Sequence, residues 1–155
     1  MSDAHPMSSP SHDAHAVRPV QAEHLDRARS AQTRVLLEDY VELIAELGVE
    51  GALVGPTALA RRLGVSHASV IKCIVRMGRE GLVNSQPYRG VTLTEAGHAL
   101  AARVRRRHRV VVALLRAVGV PEADAEADAE GIEHHVSGST LAAFERFLDR
   151  ASQTD

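Results

Sequence analysis

The segment from Pro56 to Arg79 constrains this chain more than any other. Pro56 and Thr57 open a short run, Ala58-Leu59-Ala60-Arg61-Arg62-Leu63, that reads as one helix. Gly64-Val65 makes a tight turn, and Ser66 is placed to cap a second helix from His67 to Arg79. On that helix Val70, Cys73, Ile74 and Met77 recur at helical spacing as an inward stripe, which makes Cys73 a core residue. Ala60 is small where two helices must cross closely. The pattern is a helix-turn-helix. Gly81 then stops the second helix, Leu82-Val83 and Val91-Thr92-Leu93 are short β signals, and Pro87-Tyr88-Arg89-Gly90 is the turn between them. That is a two-stranded wing, and the expected fold is a winged helix-turn-helix.

Such a fold places its second helix in the major groove of DNA. At 100° per residue, Ala68, Ser69, Lys72, Arg76 and Arg79 lie about 160–260° from Val70, opposite the core stripe. Ala68, Ser69 and Lys72 stand near the start of the helix, where base edges are reached, and Ser66 and His67 open the same surface. Arg76 and Arg79 are expected at phosphates, and Arg89 at the wing tip at the backbone or the minor groove.

Charge supports this reading. The net charge is −2, yet residues 61–109 hold eleven Lys/Arg against Glu80 and Glu95 only, a local +9 between ends of −5 (1–60) and −6 (110–155). A basic middle is a nucleic-acid footprint, and acidic ends of this density favour cations. With no Trp, two Phe and two Tyr, the core must be aliphatic. One cysteine excludes an internal disulfide and fits a reducing cytoplasm. No apolar run is long enough to span a membrane, and no charged-then-apolar leader opens the chain.

Around the winged motif the chain reads as helices. Residues 1–22 (Ser, Pro, His, Ala; with His5, His12 and His15) are expected to be a disordered tail. Residues 24–47 read as a long helix whose stripe is Leu36, Tyr40, Leu43, Ile44 and Leu47. Asp39 and Glu42 flank that stripe as an i, i+3 pair able to reach one point, with Glu38 and Glu46 on the same acidic side. Thr94 is placed to cap a helix to about Val118, with Arg103, Arg105, Arg106, Arg107 and Arg109 early, His108 among them, and an apolar run from Val110 to Leu115. Gly119-Val120-Pro121 breaks it. Pro121 begins an acidic helix ending in His134-His135, and Leu141 to Ala151 is a last amphipathic helix with Leu141, Phe144, Phe147 and Leu148 on one face. On the acidic helix Glu130, Glu133 and His134 share an arc of about 100°, with His135 off that face. One face therefore offers two oxygen donors and one nitrogen donor to a cation, or else is an ordinary solvated acidic surface.

Taken together, Asp39-Tyr40-Val41-Glu42, the winged motif with Tyr88-Arg89-Gly90-Val91, Arg107-His108 and the run Asp128-Ala129-Glu130-Gly131-Ile132-Glu133-His134-His135-Val136-Ser137 resemble the manganese-transport regulator branch of the diphtheria-toxin-repressor superfamily, over about residues 30–150. The resemblance implies six metal ligands, Asp39, Glu42, His108, Glu130, Glu133 and His134, holding a pair of Mn²⁺ ions per subunit. It implies a winged helix-turn-helix domain over 23–93 and an all-helical metal-binding and dimerisation domain over 94–151, with a short tail at 152–155. It also implies a metal-activated homodimeric repressor of a palindromic double-stranded operator, controlling manganese uptake. Four carboxylates and two imidazoles make a hard donor set suited to Mn²⁺ or Fe²⁺. Iron-sensing relatives carry Cys or Met near the position of Glu133. An Fe²⁺-responsive repressor is the nearest alternative. A dinuclear hydrolase would leave the winged motif unexplained, and a metal-independent regulator answering a small organic ligand would leave the acidic cluster as solvated surface. No enzyme activity, organic substrate or membrane partner is expected.

Overall fold

The computed structural model describes residues 17–153, apart from Tyr88; the reading of residues 1–16 and of the last two residues lies outside the described residues. The chain divides into two compact units between Arg34 and Val35. The first contains the N-terminal half of α1 (Val17–Leu47). This helix starts seven residues before the expected position 24, so residues 17–22 are helical and not tail. Its side chains between Leu25 and Arg34 are mostly exposed, and a solvated helix leaves no apolar period to read.

The second unit begins with the rest of α1, followed by a 3₁₀ turn (Val49–Gly51), α2 (Pro56–Leu63) and α3 (His67–Arg79). Gly64 ends α2 with φ +66°, a left-handed conformation that favours glycine. The Ser66 hydroxyl accepts from the Ser69 amide at 3.1 Å, capping α3 as its sequence requires. Val70, Cys73, Ile74 and Met77 are the buried residues of α3. The wing is β1 (Val83–Gln86) paired antiparallel with β2 (Gly90–Leu93). A third piece is absent from the sequence reading. Val54, in the loop before α2, exchanges both backbone hydrogen bonds with Val91, at 2.9 and 3.0 Å. The wing is thereby tied to the chain that enters the helix-turn-helix.

Next come α4 (Glu95–Ala117), α5 (Glu122–Ile132), a 3₁₀ turn (Glu133–His135) and α6 (Gly138–Ser152). Thr94 caps α4 by accepting from the Gly97 amide at 3.1 Å, and its own hydroxyl donates to the Gly81 carbonyl at 2.6 Å. The acidic helix stops at Ile132, earlier than expected. Glu133 and His134 stand in the 3₁₀ turn, so they and Glu130 do not lie along one regular helix.

One apolar cluster joins Leu37, Tyr40, Val41, Leu43 and Ile44 of α1 to Leu59, the α3 stripe, Val83, Val91, Leu93 and Ala101 of α4. Leu36, expected in the stripe, is 45% exposed. Leu37 and Val41 take its place, because α1 is covered on two sides and not one. A smaller cluster contains Val111, Val112 and Ala129, with Leu115, Val136 and Phe144 packed against it. α6 has no fully buried residue, and Phe147 is 40% exposed.

Burial pushes the Cys73 thiol up to about 11, so at pH 8 only on the order of one molecule in a thousand carries the reactive thiolate. Cys73 is expected to resist Ellman's reagent in the folded protein and to react in a single step on denaturation. Fast labelling under native conditions would show that α3 is not packed in this way.

Candidate metal centre and nucleic-acid surface

The metal candidates come from three places. α1 brings Asp39 and Glu42, α4 brings His108, and the end of α5 with its 3₁₀ turn brings Glu130, Glu133 and His134. Glu133 lies at the middle of the cluster and is 1% exposed. Its Oε2 is 2.6 Å from His108 Nδ1, and its Oε1 is 3.7 Å from His134 Nε2. His134 is also buried; its Nε2 lies 3.2 Å from Asp39 Oδ1. Glu130 reaches the edge of the group, 3.7 Å from His108 Nδ1, with a largely exposed side chain. Glu42 is the most distant member. It lines an open cleft with Asp39 and Glu130, and its Oε1 lies 3.9 Å from Arg105 Nε. His135, one residue beyond His134, is exposed.

The electrostatics follow from crowding acids around partly dry positions. Burial holds the Glu133 carboxyl above its ordinary range, opposed by its hydrogen bond from His108. Burial likewise raises Asp39, with His134 opposing and Glu130 and Glu38 adding to the rise. Glu42 is raised by burial against the pull of Arg105. For His108 burial disfavours the imidazolium, but hydrogen bonds to Glu126 and Glu133 outweigh it and the net shift is upward. At each of the three carboxyls burial is the leading cause, and the neighbouring Glu130 carboxylate adds to the rise.

Among the described residues no three His, Cys, Asp or Glu side chains form a ready-made metal cage. His108 instead hydrogen-bonds to Glu133, which would be its fellow ligand, and His134 hydrogen-bonds to Glu38, outside the candidate set. The donor set itself fits a hard divalent cation. Asp39, Glu42, Glu130 and Glu133 supply oxygen, while His108 and His134 supply nitrogen, each with a nitrogen turned toward those carboxylates.

Two nearby carboxylates belong to the arrangement although sequence reading left them out. Glu126 Oε2 lies within hydrogen-bond distance of His108 Nε2, at 2.9 Å. It precedes Glu130 by one helical turn, a spacing that points to it. Glu38 is 2% exposed and contacts both Arg107 and His134. Its partners lie 69 and 96 residues away, so no local period reveals them.

The nucleic-acid candidates are disposed differently. Ser66, His67, Ala68, Ser69, Lys72, Arg76 and Arg79 are all exposed, on the open side of α3, and Arg89 is exposed at the wing turn. Arg76 pairs with Glu80 at 3.1 Å across one helical turn. Of the arginines on α4, Arg105 and Arg106 face outward, Arg106 pairing with Glu145 at 2.6 Å. Arg107 turns inward to Glu38. Arg107 therefore leaves the basic footprint that the charge count assigned to it. No helix among the described residues is long and apolar enough to cross a membrane.

Residues 35–91 match the family described as "Iron dependent repressor, N-terminal DNA binding domain". Residues 94–154 match "Iron dependent repressor, metal binding and dimerisation domain". The chain is 42% identical over 133 residues to the transcriptional regulator MntR of Escherichia coli O157:H7, covering 84% of this chain and 86% of that protein. It is 33% identical over 105 residues to the HTH-type transcriptional regulator MntR of Bacillus subtilis strain 168, covering 68% and 74%. Among solved structures it is similar to a manganese-dependent transcriptional repressor in complex with manganese, at 30% identity and a TM-score of 0.64, over 73% of this chain. This chain spans about half, 52%, of that solved one. With both family domains matched in order and these identities over most of its length, the chain belongs to the iron-dependent repressor family, in its manganese-regulator branch.

Proposed function

We propose that the chain is a metal-activated, DNA-binding transcriptional repressor that answers to manganese. One observation carries the reading furthest: Glu133, buried, stands between His108 of α4 and His134, which itself faces Asp39 of α1. The cluster thus draws together the helix that leads into the helix-turn-helix and the helices that follow the wing. A pair of Mn²⁺ ions per subunit is the expected load, on Asp39, Glu42, His108, Glu130, Glu133 and His134, with Fe²⁺ as the competing ion. A bound dication supplies the positive charge that lets four neighbouring carboxylates stay ionised together. Ordering these side chains fixes α1 against α4, and so fixes the recognition helix before it meets DNA.

The same reading extends to partners. Ser66, His67, Ala68, Ser69 and Lys72 meet base edges, while Arg76, Arg79 and Arg89 meet the backbone of a palindromic operator. The half-exposed Leu141, Phe144, Phe147 and Leu148 of α6 fit the interface of a homodimer. The setting is the cytoplasm and the regulated genes are those of manganese uptake.

Fluorescence anisotropy of a labelled palindromic duplex, at fixed salt, tests this with EDTA, Mn²⁺, Fe²⁺ or Zn²⁺ present. Mn²⁺ is expected to tighten binding at least about tenfold, or 1.4 kcal/mol of coupling. The Glu130→Ala, His134→Ala double variant is expected to lose this gain, with no rescue by excess Mn²⁺. Equal affinity in EDTA would overturn metal activation while leaving DNA binding intact. A larger gain with Fe²⁺ would assign the sensor to iron.

A further inference from the structure

Glu38 stands beside a candidate ligand, yet its carboxylate is turned away from solvent and into the protein. One oxygen, Oε2, lies 2.5 Å from Arg107 of α4 and 2.8 Å from Nδ1 of His134. A single buried atom thereby joins α1, α4 and the 133–135 turn. A carboxylate is tolerated in such a place only when its charge and lone pairs are met. Arg107 meets the charge and is itself mostly enclosed, at 19% side-chain exposure. His134 meets a second lone pair of the same oxygen. Nδ1 is the ring nitrogen that makes the hydrogen bond, at 2.8 Å to Glu38, so in the neutral ring it carries the proton and leaves the opposite nitrogen with its lone pair. In His134 that opposite nitrogen is Nε2, the one facing Asp39 and Glu133.

We propose that Glu38, held in place by Arg107, is a positioning residue that fixes His134 as its Nδ1–H tautomer and aims Nε2 into the carboxylate cluster. The inference rests on the metal reading above. Carboxylates that orient a ligating histidine from behind are a recurrent means of setting metal affinity. Here the same carboxylate also belongs to α1, so the orientation of His134 depends on where the DNA-binding half stands. Glu38 thus supplies a second link between the halves besides the ligands themselves.

Long-range ¹H–¹⁵N NMR of the metal-free full chain at pH 8, joined to Mn²⁺ titration by calorimetry, tests it. Wild-type His134 is expected to show the Nδ1–H tautomer. Glu38→Ala is expected to give mixed tautomers and about 10–100-fold weaker Mn²⁺ binding. Glu38→Gln, whose amide oxygen can still accept from Nδ1–H, is expected to keep the tautomer and recover part of the affinity. A proton on Nε2 in the wild-type protein overturns the proposal, and this reading needs no variant to fold. Wild-type Mn²⁺ affinity in Glu38→Ala overturns it too, leaving the metal reading standing. Failure of the wild-type protein to bind Mn²⁺ overturns both.

Discussion

Replacing Glu133 with glutamine is expected to weaken Mn²⁺ binding at least about 100-fold, equivalent to about 2.8 kcal/mol, and to abolish the effect of Mn²⁺ on DNA affinity. Glutamine preserves the shape of the side chain in its buried position. It removes the one charge placed between His108 and His134, at 2.6 and 3.7 Å. The fold is expected to survive. Burial holds the Glu133 carboxyl above its ordinary value, so the unfolded chain gives up this proton more readily than the folded one. An acid of this kind favours folding at low pH and opposes it once the pH rises past its ordinary range. At pH 8 the metal-free Glu133→Gln protein should therefore melt at or above the wild-type temperature. Calorimetric titration beside a thermal melt checks both halves; lowered stability with unchanged Mn²⁺ affinity would remove Glu133 from the metal centre. The same shifts set the pH response of the wild type. Asp39, Glu42, Glu133 and His108 are all raised and must lose protons to bind a cation. Mn²⁺ affinity is thus expected to fall as pH drops through and below neutrality, with protons released on binding.

The second large effect concerns stability. A methyl group on Gly97 would stand 2.1 Å from the Leu82 carbonyl oxygen and 3.1 Å from Leu93 Cδ2. The oxygen belongs to backbone that already accepts from the Thr94 amide at 3.0 Å, so it cannot swing aside cheaply. Gly97→Ala is expected to cost about 2–3 kcal/mol and lower the melting temperature by on the order of 10 °C. Gly78→Ala is the matched comparison. It lies within α3 with open space where its methyl would go, and it is expected to stabilise by about 0.5–1 kcal/mol through helix propensity. Circular-dichroism melts of the two variants decide this, and equal melting temperatures would show that α4 does not approach the wing so closely.

The helix-turn-helix and its wing were readable because their rules are local. Ser66 caps the helix that follows it, Gly64 turns the chain, and the α3 stripe of Val70, Cys73, Ile74 and Met77 repeats within one helix. The extent of α1 was not readable, since its N-terminal part buries little. The choice of Leu37 and Val41 over Leu36 was equally hidden. A stripe read from spacing shows one face, and here α4 covers a second. The six proposed ligands came from a resemblance carried by motifs, and the structure gathers donors from three separate elements, Glu42 least closely. Glu38 shows where local reading ends. On a helical wheel it is one more acid beside Asp39, and only Arg107 and His134, far along the chain, make it different.

The path of α4 has a mechanical consequence. Gly97 fastens its first turn against the wing, and His108 projects eleven residues later, about 16 Å along the axis at 1.5 Å per residue. An α-helix of this length is stiff, so the segment acts as a lever arm with its pivot at the wing. A tilt of about 4° at the pivot carries His108 through roughly 1 Å, a distance comparable with the difference between a hydrogen bond and a metal–ligand bond. Small angular errors at the wing are thereby magnified at the cluster, and displacements at the cluster are scaled down into fine adjustments of the wing.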